Sequence, residues 1–181
     1  MQAFFRVSEV TEREQAQKFT QRFGVDLEKV PQAAGVVGDY LILKTSGFTN
    51  ELEAQLGYPL AGRLVEFKDD KASVKRGTFF IEYEQTSDSW CTRRASGHEK
   101  AILEGCVLVM STGSLCLVYN EASYKTLIEG VLRERTTRFR KNGNRPDSFT
   151  KGRIVTVEHA ISCATFMYDM SEQAGFQAIP F

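Results

Sequence analysis

The sequence predicts an α/β fold in which a single domain carries a central mixed β-sheet flanked by helices. The chain has 181 residues, which is enough for one domain with a large core and short for two. Hydrophobic residues make up 42% of it and prolines number only four, as is typical of packed globular proteins. Short apolar runs with strand-like alternation lie between segments of helical periodicity. We therefore expect one domain over residues 1–181.

The first predicted element is an amphipathic helix over residues 11–23. Thr11 followed by Glu14 has the spacing of a capping box, which marks a helix start. One helical stripe follows and ends before a glycine, and it is made of Glu12, Ala16, Phe19 and Phe23. This stripe is the face that we expect to pack on the sheet.

Three segments of the first half are predicted to be strands. They share apolar side chains in β-type alternation, and they are 40–43, 63–68 and 78–85. The last two are joined by the polar stretch KDDKASVKRG, and strands joined by a tight polar connection usually pair antiparallel. Residues 49–58 are compatible with a short helix or with a loop.

The second half alternates between strand and helix patterns. Residues 99–104 fit a short helix, and 107–110 with 115–119 fit a hairpin around a polar turn. Asn120 is a good N-cap for a long helix over 121–139, which a basic loop with glycine and proline follows. A final apolar segment over 154–170 is predicted to be a strand and then a helix.

Charge is balanced over the whole chain and uneven along it. Lys and Arg number 23 and Asp and Glu number 23, so net charge neither indicates nor excludes a nucleic-acid partner. The region 121–153, a predicted helix and loop, is different, because eight basic residues and two acidic ones lie between 133 and 153. Three of its cations have helical spacing and are candidates for DNA contact, namely Arg135, Arg138 and Lys141. The alternative is that they only favour the helix C-terminus electrostatically.

The cysteines and the apolar runs indicate the cellular compartment that we expect for the protein. The cysteines show no C-x-x-C pair and no zinc-finger spacing with the histidines, and they are Cys91, Cys106, Cys116 and Cys163. We expect reduced, mostly buried thiols. No apolar run approaches the roughly 20 residues that cross a bilayer, and the N-terminus turns acidic early. A soluble, cytoplasmic protein without a membrane partner is expected.

One constellation has the residue types of phosphodiester chemistry. Gly38-Asp39 opens one predicted strand, and Glu66-Phe67-Lys68 lies in the next. The period of two places Glu66 and Lys68 on one strand face. Carboxylates are the ligands that Mg²⁺ prefers, and a nearby cation offsets charge that develops on a phosphate. An isolated E-x-K usually marks only a solvated strand face.

The patterns G-D-Y-L-I-L and L-V-E-F-K-D-D resemble the motif of the PD-(D/E)XK nuclease superfamily, in particular its small phage-type and Holliday-junction-resolvase-like members. The resemblance continues through 76–84 and 95–98 and covers about residues 9–119. It implies a restriction-endonuclease-like core and a Mg²⁺- or Mn²⁺-dependent deoxyribonuclease. Asp39 and Glu66 would hold the metal, and Lys68 would orient or activate water. The sequence departs from the motif in having Gly38 where proline is usual, and 45–61 has room for an insertion.

Three further residues are candidates for support of this site. Members of the superfamily often add a glutamate from the first helix, which here is Glu12, with Glu9 and Glu14 as alternatives. Glu82, which shares a predicted strand face with Glu84, would extend the acidic site, or else it is a polar residue on an open sheet face. His98 would carry a proton or contact phosphate, or else it is an exposed loop residue.

Further DNA contacts are expected from loops beside the predicted strands. The cations of these loops are Arg76, Arg93 and Arg94. Loop cations can meet phosphates, although most are only solvated.

The leading prediction is a metal-dependent DNA endonuclease, resolvase-like on branched DNA. A phage or mobile-element origin would fit the resemblance. A homodimer fits, because two related sites cut two strands most simply. The alternatives are a catalytically inactive DNA-binding protein of the same fold, an end-dependent exonuclease or recombination accessory, and an α/β protein with no nucleic-acid role. Metal-dependent cleavage and the need for a free end separate them.

Overall fold

The computed structural model describes residues 2–31, 38–87, 93–95, 97–139 and 148–170. These residues form six α-helices, which are α1 (Gln2–Phe23), α2 (Asn50–Leu56), α3 (Lys71–Arg76), α4 (Gly97–Leu103), α5 (Glu121–Glu129) and α6 (Val157–Cys163). They also form ten strands, which are β1 (Asp26–Lys29), β2 (Tyr40–Lys44), β3 (Leu64–Asp69), β4 (Thr78–Ser87), β5 (Arg93–Ala95), β6 (Val107–Thr112), β7 (Leu115–Tyr119), β8 (Arg133–Phe139), β9 (Ser148–Thr156) and β10 (Phe166–Asp169).

A six-stranded main sheet forms the centre of an α/β domain, as the sequence predicts. Its strand order is β1-β2-β3-β6-β7-β10. β3 and β6 are parallel and the other neighbours are antiparallel, so the sheet is mixed. The predicted strands 40–43 and 63–68 are β2 and β3, and the predicted hairpin is β6 with β7. The parallel pair β3 and β6 places residues 64–69 in the middle of the molecule.

A second, four-stranded antiparallel sheet was not predicted. Its order is β5-β4-β9-β8, and we call it the small sheet. The prediction that 63–68 and 78–85 pair antiparallel is wrong, because β3 lies between β2 and β6 while β4 pairs with β5 and β9. The polar stretch between them is helix α3, which ends at Gly77 with a positive φ of 66°. A helix in place of a tight turn redirects the chain to the small sheet.

Two apolar clusters cover the two faces of the main sheet. On one face, Phe19 and Phe23 of α1 belong to one cluster with Phe67, and Phe19 and Phe67 are in edge-to-face contact at 5.8 Å. On the other face, Leu108 and Leu117 pack with the small sheet and with α4, α5 and α6. β6 and β7 are buried on both faces, which explains their nearly continuous apolar sequences. Because the aromatic stripe fixes α1 over β3, it also positions the polar residues at the preceding turns of that helix.

The predicted helix 121–139 is too long. α5 begins at the Asn120 cap, where a capping box with Ser123 forms, and it ends at Glu129 before Gly130. Residues 133–139 are β8, which pairs antiparallel with β9. The β-branched Thr136 and Thr137 favour the extended chain, and pairing with β9 satisfies its backbone. The helical spacing of Arg135 and Arg138 therefore does not apply.

Other elements differ less from the predictions. α1 extends over 2–23 rather than 11–23, and the undecided segment 49–58 contains α2. The final segment is the end of β9, then α6 and β10.

Cys106 and Cys116 are buried and Cys163 is half-buried, all three as free thiols, while Cys91 lies outside the described residues. Among the described helices, none combines the length and apolar character needed to span a bilayer.

Candidate active site

The main sheet brings Asp39 and Glu66 together at the start of β2. Backbone pairing aligns the strands, with the Asp39 N–H donating to the Val65 carbonyl at 2.8 Å. The Asp39 side chain then accepts, at Oδ2, the N–H of Phe67 at 2.7 Å. Glu66 accepts, at Oε2, the N–H of Gly38 at 3.1 Å. Each carboxylate is therefore fixed by the backbone of the other strand.

Lys68 completes this group from the same face of β3. Val65 and Phe67 point into the core under α1, so Glu66 and Lys68 share the opposite face. Lys68 Nζ forms a close ion pair with Glu66 Oε1. Glu66 is 8% exposed and Asp39 is 5% exposed, so both acids are largely removed from water. The three residues of the sequence motif thus form one cluster.

The Asp39 carboxyl has an unusual electrostatic environment. Burial raises the pKa of Asp39 to about 7, and repulsion from Glu66 and Glu12 adds to this effect. The hydrogen bond from Phe67 and the charge of Lys68 act in the opposite direction. A buried carboxyl crowded by other acids is stabilised by any added positive charge. The cluster therefore favours a cation beside Asp39.

Lys68 stays protonated in this environment. Burial alone would lower its pKa, but the charge and hydrogen bond of Glu66, followed by the charges of Asp39 and Glu12, raise the pKa of Lys68 overall. Lys68 thus serves as a fixed cation and hydrogen-bond donor. The charge of Glu12 on α1 also raises the pKa of both Asp39 and Lys68, as the smallest of the effects on each.

Gly38 explains the departure from the Pro-Asp form of the motif. Its φ is +84°, a value that proline cannot adopt and that other L-residues adopt only with strain. Its N–H is the donor to Glu66, and proline has no N–H. A Cβ at this position would lie 2.9 Å from the Leu64 Cβ, which is too close. In this chain, glycine is the residue that the site geometry requires.

We expect Gly38→Ala to lower the free energy of unfolding by about 1–3 kcal/mol, because of the positive φ and the Leu64 contact. Gly38→Pro should cost more, because it also removes the hydrogen bond to Glu66. Urea unfolding curves measure both effects. Gly57→Ala is the matched control, since it shares a positive φ of 81° but has open space at its Cβ. Equal losses in the two alanine variants would contradict the role assigned to the Leu64 contact.

His98 lies on α4 and is buried, so the alternative that it is an exposed loop residue is wrong. Its Nδ1 accepts the N–H of Glu82 at 3.2 Å, which leaves the proton of the neutral ring on Nε2. Burial, followed by repulsion from Lys68, lowers the pKa of His98 to about 3. The ring is therefore neutral near physiological pH, and it suits hydrogen-bond donation better than proton transfer.

Lys68 and His98 open into a common cleft of about 280 Å³. We call it the site cleft, and its lining is Lys68, Asp69, Asp70, Arg76, Phe79, Phe80, His98 and Met110. Arg76 reaches it from the end of α3, where its guanidinium donates to both oxygens of Asp70, at 2.7 and 2.5 Å. The Arg76 side chain is 45% exposed and that of Asp70 is 24% exposed, so water weakens this pair and Arg76 can exchange Asp70 for another anion.

Glu82 and Glu84 do not share a strand face. The register between β4 and β9 shifts at this point, so that Glu82 lies opposite Gly152 and Glu84 lies opposite Lys151. The extra residue, Tyr83, reverses the alternation. Glu84 pairs with Lys151 at 3.0 Å, while the backbone of Glu82 holds His98. Glu82 thus supports the site through its N–H.

The remaining predicted DNA contacts divide into two groups. Arg135 is exposed on β8 and lines a groove of the small sheet. Arg93 and Arg94 lie on β5 and Arg138 lies on β8, but their side chains are outside the described part of the structure. Lys141 lies entirely outside the described residues.

Sequence reasoning missed a polar chain beneath Lys68. Gln15 of α1 donates to Ser111 Oγ at 2.5 Å, and Ser111 donates to Asp69 at 2.7 Å. Gln15 is only 1% exposed. The chain links α1, β6 and β3 next to the cluster. A signal was present, since Gln15 falls on the same helical face as Glu12 and Ala16.

The residues present fit a hard divalent cation, although they do not form a full cage. Within the described residues, no group of three or more His, Cys, Asp and Glu side chains has metal-binding geometry. Mg²⁺ commonly uses only one or two carboxylates and keeps several waters. Asp39 and Glu66 meet that need, and the like-charge crowding at Asp39 is what a cation would relieve. The sequence resemblance names Glu12 of α1 as the candidate for a third acid.

Comparison with protein-family models, with curated proteins and with solved structures finds no match for this chain. The geometry and electrostatics of the cluster are therefore the basis for assigning a function.

Proposed function

We propose that this protein is a metal-dependent deoxyribonuclease of the PD-(D/E)XK type. The observation that carries the proposal is the cluster of two buried carboxylates and a protonated lysine on adjacent strands, with the pKa of Asp39 raised to about 7. Strongly perturbed carboxyls are typical of catalytic and metal sites, and Lys68 of the cluster lines the site cleft. The order of the residues along the chain is also that of the superfamily motif.

Each residue of the cluster has a definite task in this reaction. Asp39 and Glu66 would hold Mg²⁺ or Mn²⁺, with Glu12 at the edge of the site. The ion would supply Lewis acidity at the scissile phosphate and favour ionisation of a bound water. Lys68 would orient the attacking water and offset the negative charge that develops on the phosphate. His98 would donate from Nε2 to a phosphate oxygen.

DNA is the proposed substrate, and branched DNA is the form that the resolvase-like resemblance favours. Arg76 beside the site cleft is placed to contact a phosphate. Two copies of the chain would cut two strands of one substrate, so a homodimer belongs to the same proposal.

The test is cleavage of supercoiled plasmid, branched DNA and single strands with Mg²⁺ or Mn²⁺, and with EDTA as a blank. We expect metal-dependent cutting that Glu66→Ala abolishes. Asp26→Ala is the control, because this acid is exposed on β1, away from the cluster. Salt-sensitive DNA binding without cutting would support an inactive DNA-binding protein instead. Cutting that requires a free end would support the exonuclease alternative.

A further inference from the structure

A groove with three arginines crosses the face of the small sheet and adjoins the site cleft. We call it the arginine groove, and it has a volume of about 580 Å³. Its cationic lining is Arg76, Arg133 and Arg135, and its apolar lining includes Phe80, Leu132 and Ile154. None of the described residues that line the groove carries a carboxylate. The groove is therefore complementary to a polyanion.

The strand register explains why these side chains share one face. Ile154 of β9 lies between its two partners Arg133 of β8 and Phe80 of β4. In the neighbouring row, Gly152 lies between Arg135 of β8 and Glu82 of β4, so Glu82 also belongs to this face although it does not line the groove. Directly opposed residues of antiparallel strands project to the same side. The cations of β8 thus run alongside an apolar strip on β9 and β4.

Phe80 is held on this face by a glycine. A Cβ at Gly152 would lie 2.4 Å from two atoms of the Phe80 ring, so the ring occupies the space that another side chain would fill. Phe80 is half-buried, and Leu132 beside it is 61% exposed. An aromatic ring fixed on a sheet, with apolar neighbours and arginines along one side, has the components of a base-stacking platform.

Arg76 and Phe80 line both the arginine groove and the site cleft. The two spaces therefore adjoin at Arg76 and Phe80, and a strand that passes these two side chains would reach Lys68. Duplex DNA would present mainly phosphates and leave the apolar strip without a partner. A single strand presents phosphates to the arginines and base faces to Phe80 and Leu132.

We infer that the arginine groove binds an unpaired DNA strand and leads it to the Asp39–Glu66–Lys68 cluster. This inference rests on the proposed nuclease function, because the cluster to which the strand leads is the proposed active site. It restricts the substrate to DNA that contains a single-stranded segment, such as a flap, a gap or an open branch point.

Binding is tested without cleavage, by fluorescence anisotropy in EDTA, with a labelled oligothymidine and a hairpin duplex of equal charge. We expect the single strand to bind more tightly. Arg133→Ala and Arg135→Ala should each reduce the slope of log K against log salt by about 0.7. Phe80→Leu keeps apolar volume but removes the aromatic ring, and it should weaken single-strand binding about tenfold.

Lys125→Ala is the charge control, because this exposed lysine lies on α5, away from the groove. Circular dichroism melting verifies that each variant is folded. Equal or tighter binding of the duplex would overturn the inference, as would single-strand binding that the three groove variants leave unchanged. Groove-dependent binding in a protein that never cuts DNA would uphold the inference and reject the nuclease proposal, so the two failures are distinguishable.

Discussion

Asp39→Asn should make the protein more stable above neutral pH while abolishing cleavage. The pKa of Asp39 in the folded protein is about 7 and its ordinary value is 3.8, so the folded state binds the proton more tightly than the unfolded state. The stability contributed by this carboxyl is fully present below about pH 4 and is lost as pH rises to about 7. At about pH 8 the folded wild type holds a buried, crowded charge that asparagine lacks.

The expected gain in the free energy of unfolding is roughly 2–4 kcal/mol at about pH 8, and it should shrink as pH falls toward 5. Urea unfolding in EDTA at several pH values measures it. The side-chain carbonyl of the introduced asparagine can still accept the Phe67 N–H, so the backbone contact is retained. Asp26→Asn is the matched control, since Asp26 is exposed on β1. A variant that is less stable than wild type at about pH 8 would contradict the assigned electrostatics.

Divalent metal ions should make the wild type more stable than Asp39→Asn, which is the reverse of the order expected in EDTA. A cation that binds the folded wild type raises its melting temperature by mass action and relieves the repulsion at Asp39. Asp39→Asn should show little response to Mn²⁺. If Mn²⁺ raised the melting temperature of both proteins equally, the metal would bind at a site other than Asp39.

Lys68→Met should have the opposite effect on stability and should also impair catalysis. Lys68 is the cation that offsets the charges of Glu66, Asp39 and Glu12. Its loss leaves these acids uncompensated, so the free energy of unfolding at about pH 8 should fall. Cleavage should drop by about 10²–10³-fold, the usual cost of removing one preorganised donor to the transition state.

Lys68→Arg separates charge from geometry. It should recover the stability, because the positive charge remains, but it should recover cleavage only in part, because a planar guanidinium cannot take the ammonium position. Lys125→Met is the matched control, since Lys125 also pairs with a glutamate but on the exposed face of α5. Single-turnover cleavage rates and urea unfolding provide the two readouts. Full activity in Lys68→Met would remove this residue from the proposed mechanism.

Local pattern was sufficient for most of the main sheet. Strands β2, β3, β6 and β7 follow from apolar runs between turn-forming residues, and the shared face of Glu66 and Lys68 follows from the two-residue period of a strand. The aromatic stripe of α1 indicated the face that packs on β3. These features depend on neighbours within a few residues, which is the range that periodicity and propensity describe.

The small sheet, the bulge at Tyr83 and the end of α5 depend on pairing between distant segments. Residues 133–139 have enough helix-forming character to extend α5, but pairing with β9 satisfies their backbone as a strand. Arg133 and Arg135 therefore face a groove with Phe80 rather than forming part of a helical row. Whether such a segment forms a local helix or pairs as a strand with a distant segment depends on its packing partners. These partners lie outside the sequence of the segment itself.

The sequence by itself determined which residues form the candidate site, and the tertiary structure decided their chemical states. Asp39, Glu66 and Lys68 are predicted from residue type and spacing together with the resemblance to the PD-(D/E)XK motif. The raised pKa of Asp39, the neutral ring of His98 and the need for glycine at position 38 arise only when burial removes water and the strands bring like charges together. Desolvation and Coulomb interactions depend on three-dimensional distance, so they are properties of the folded chain.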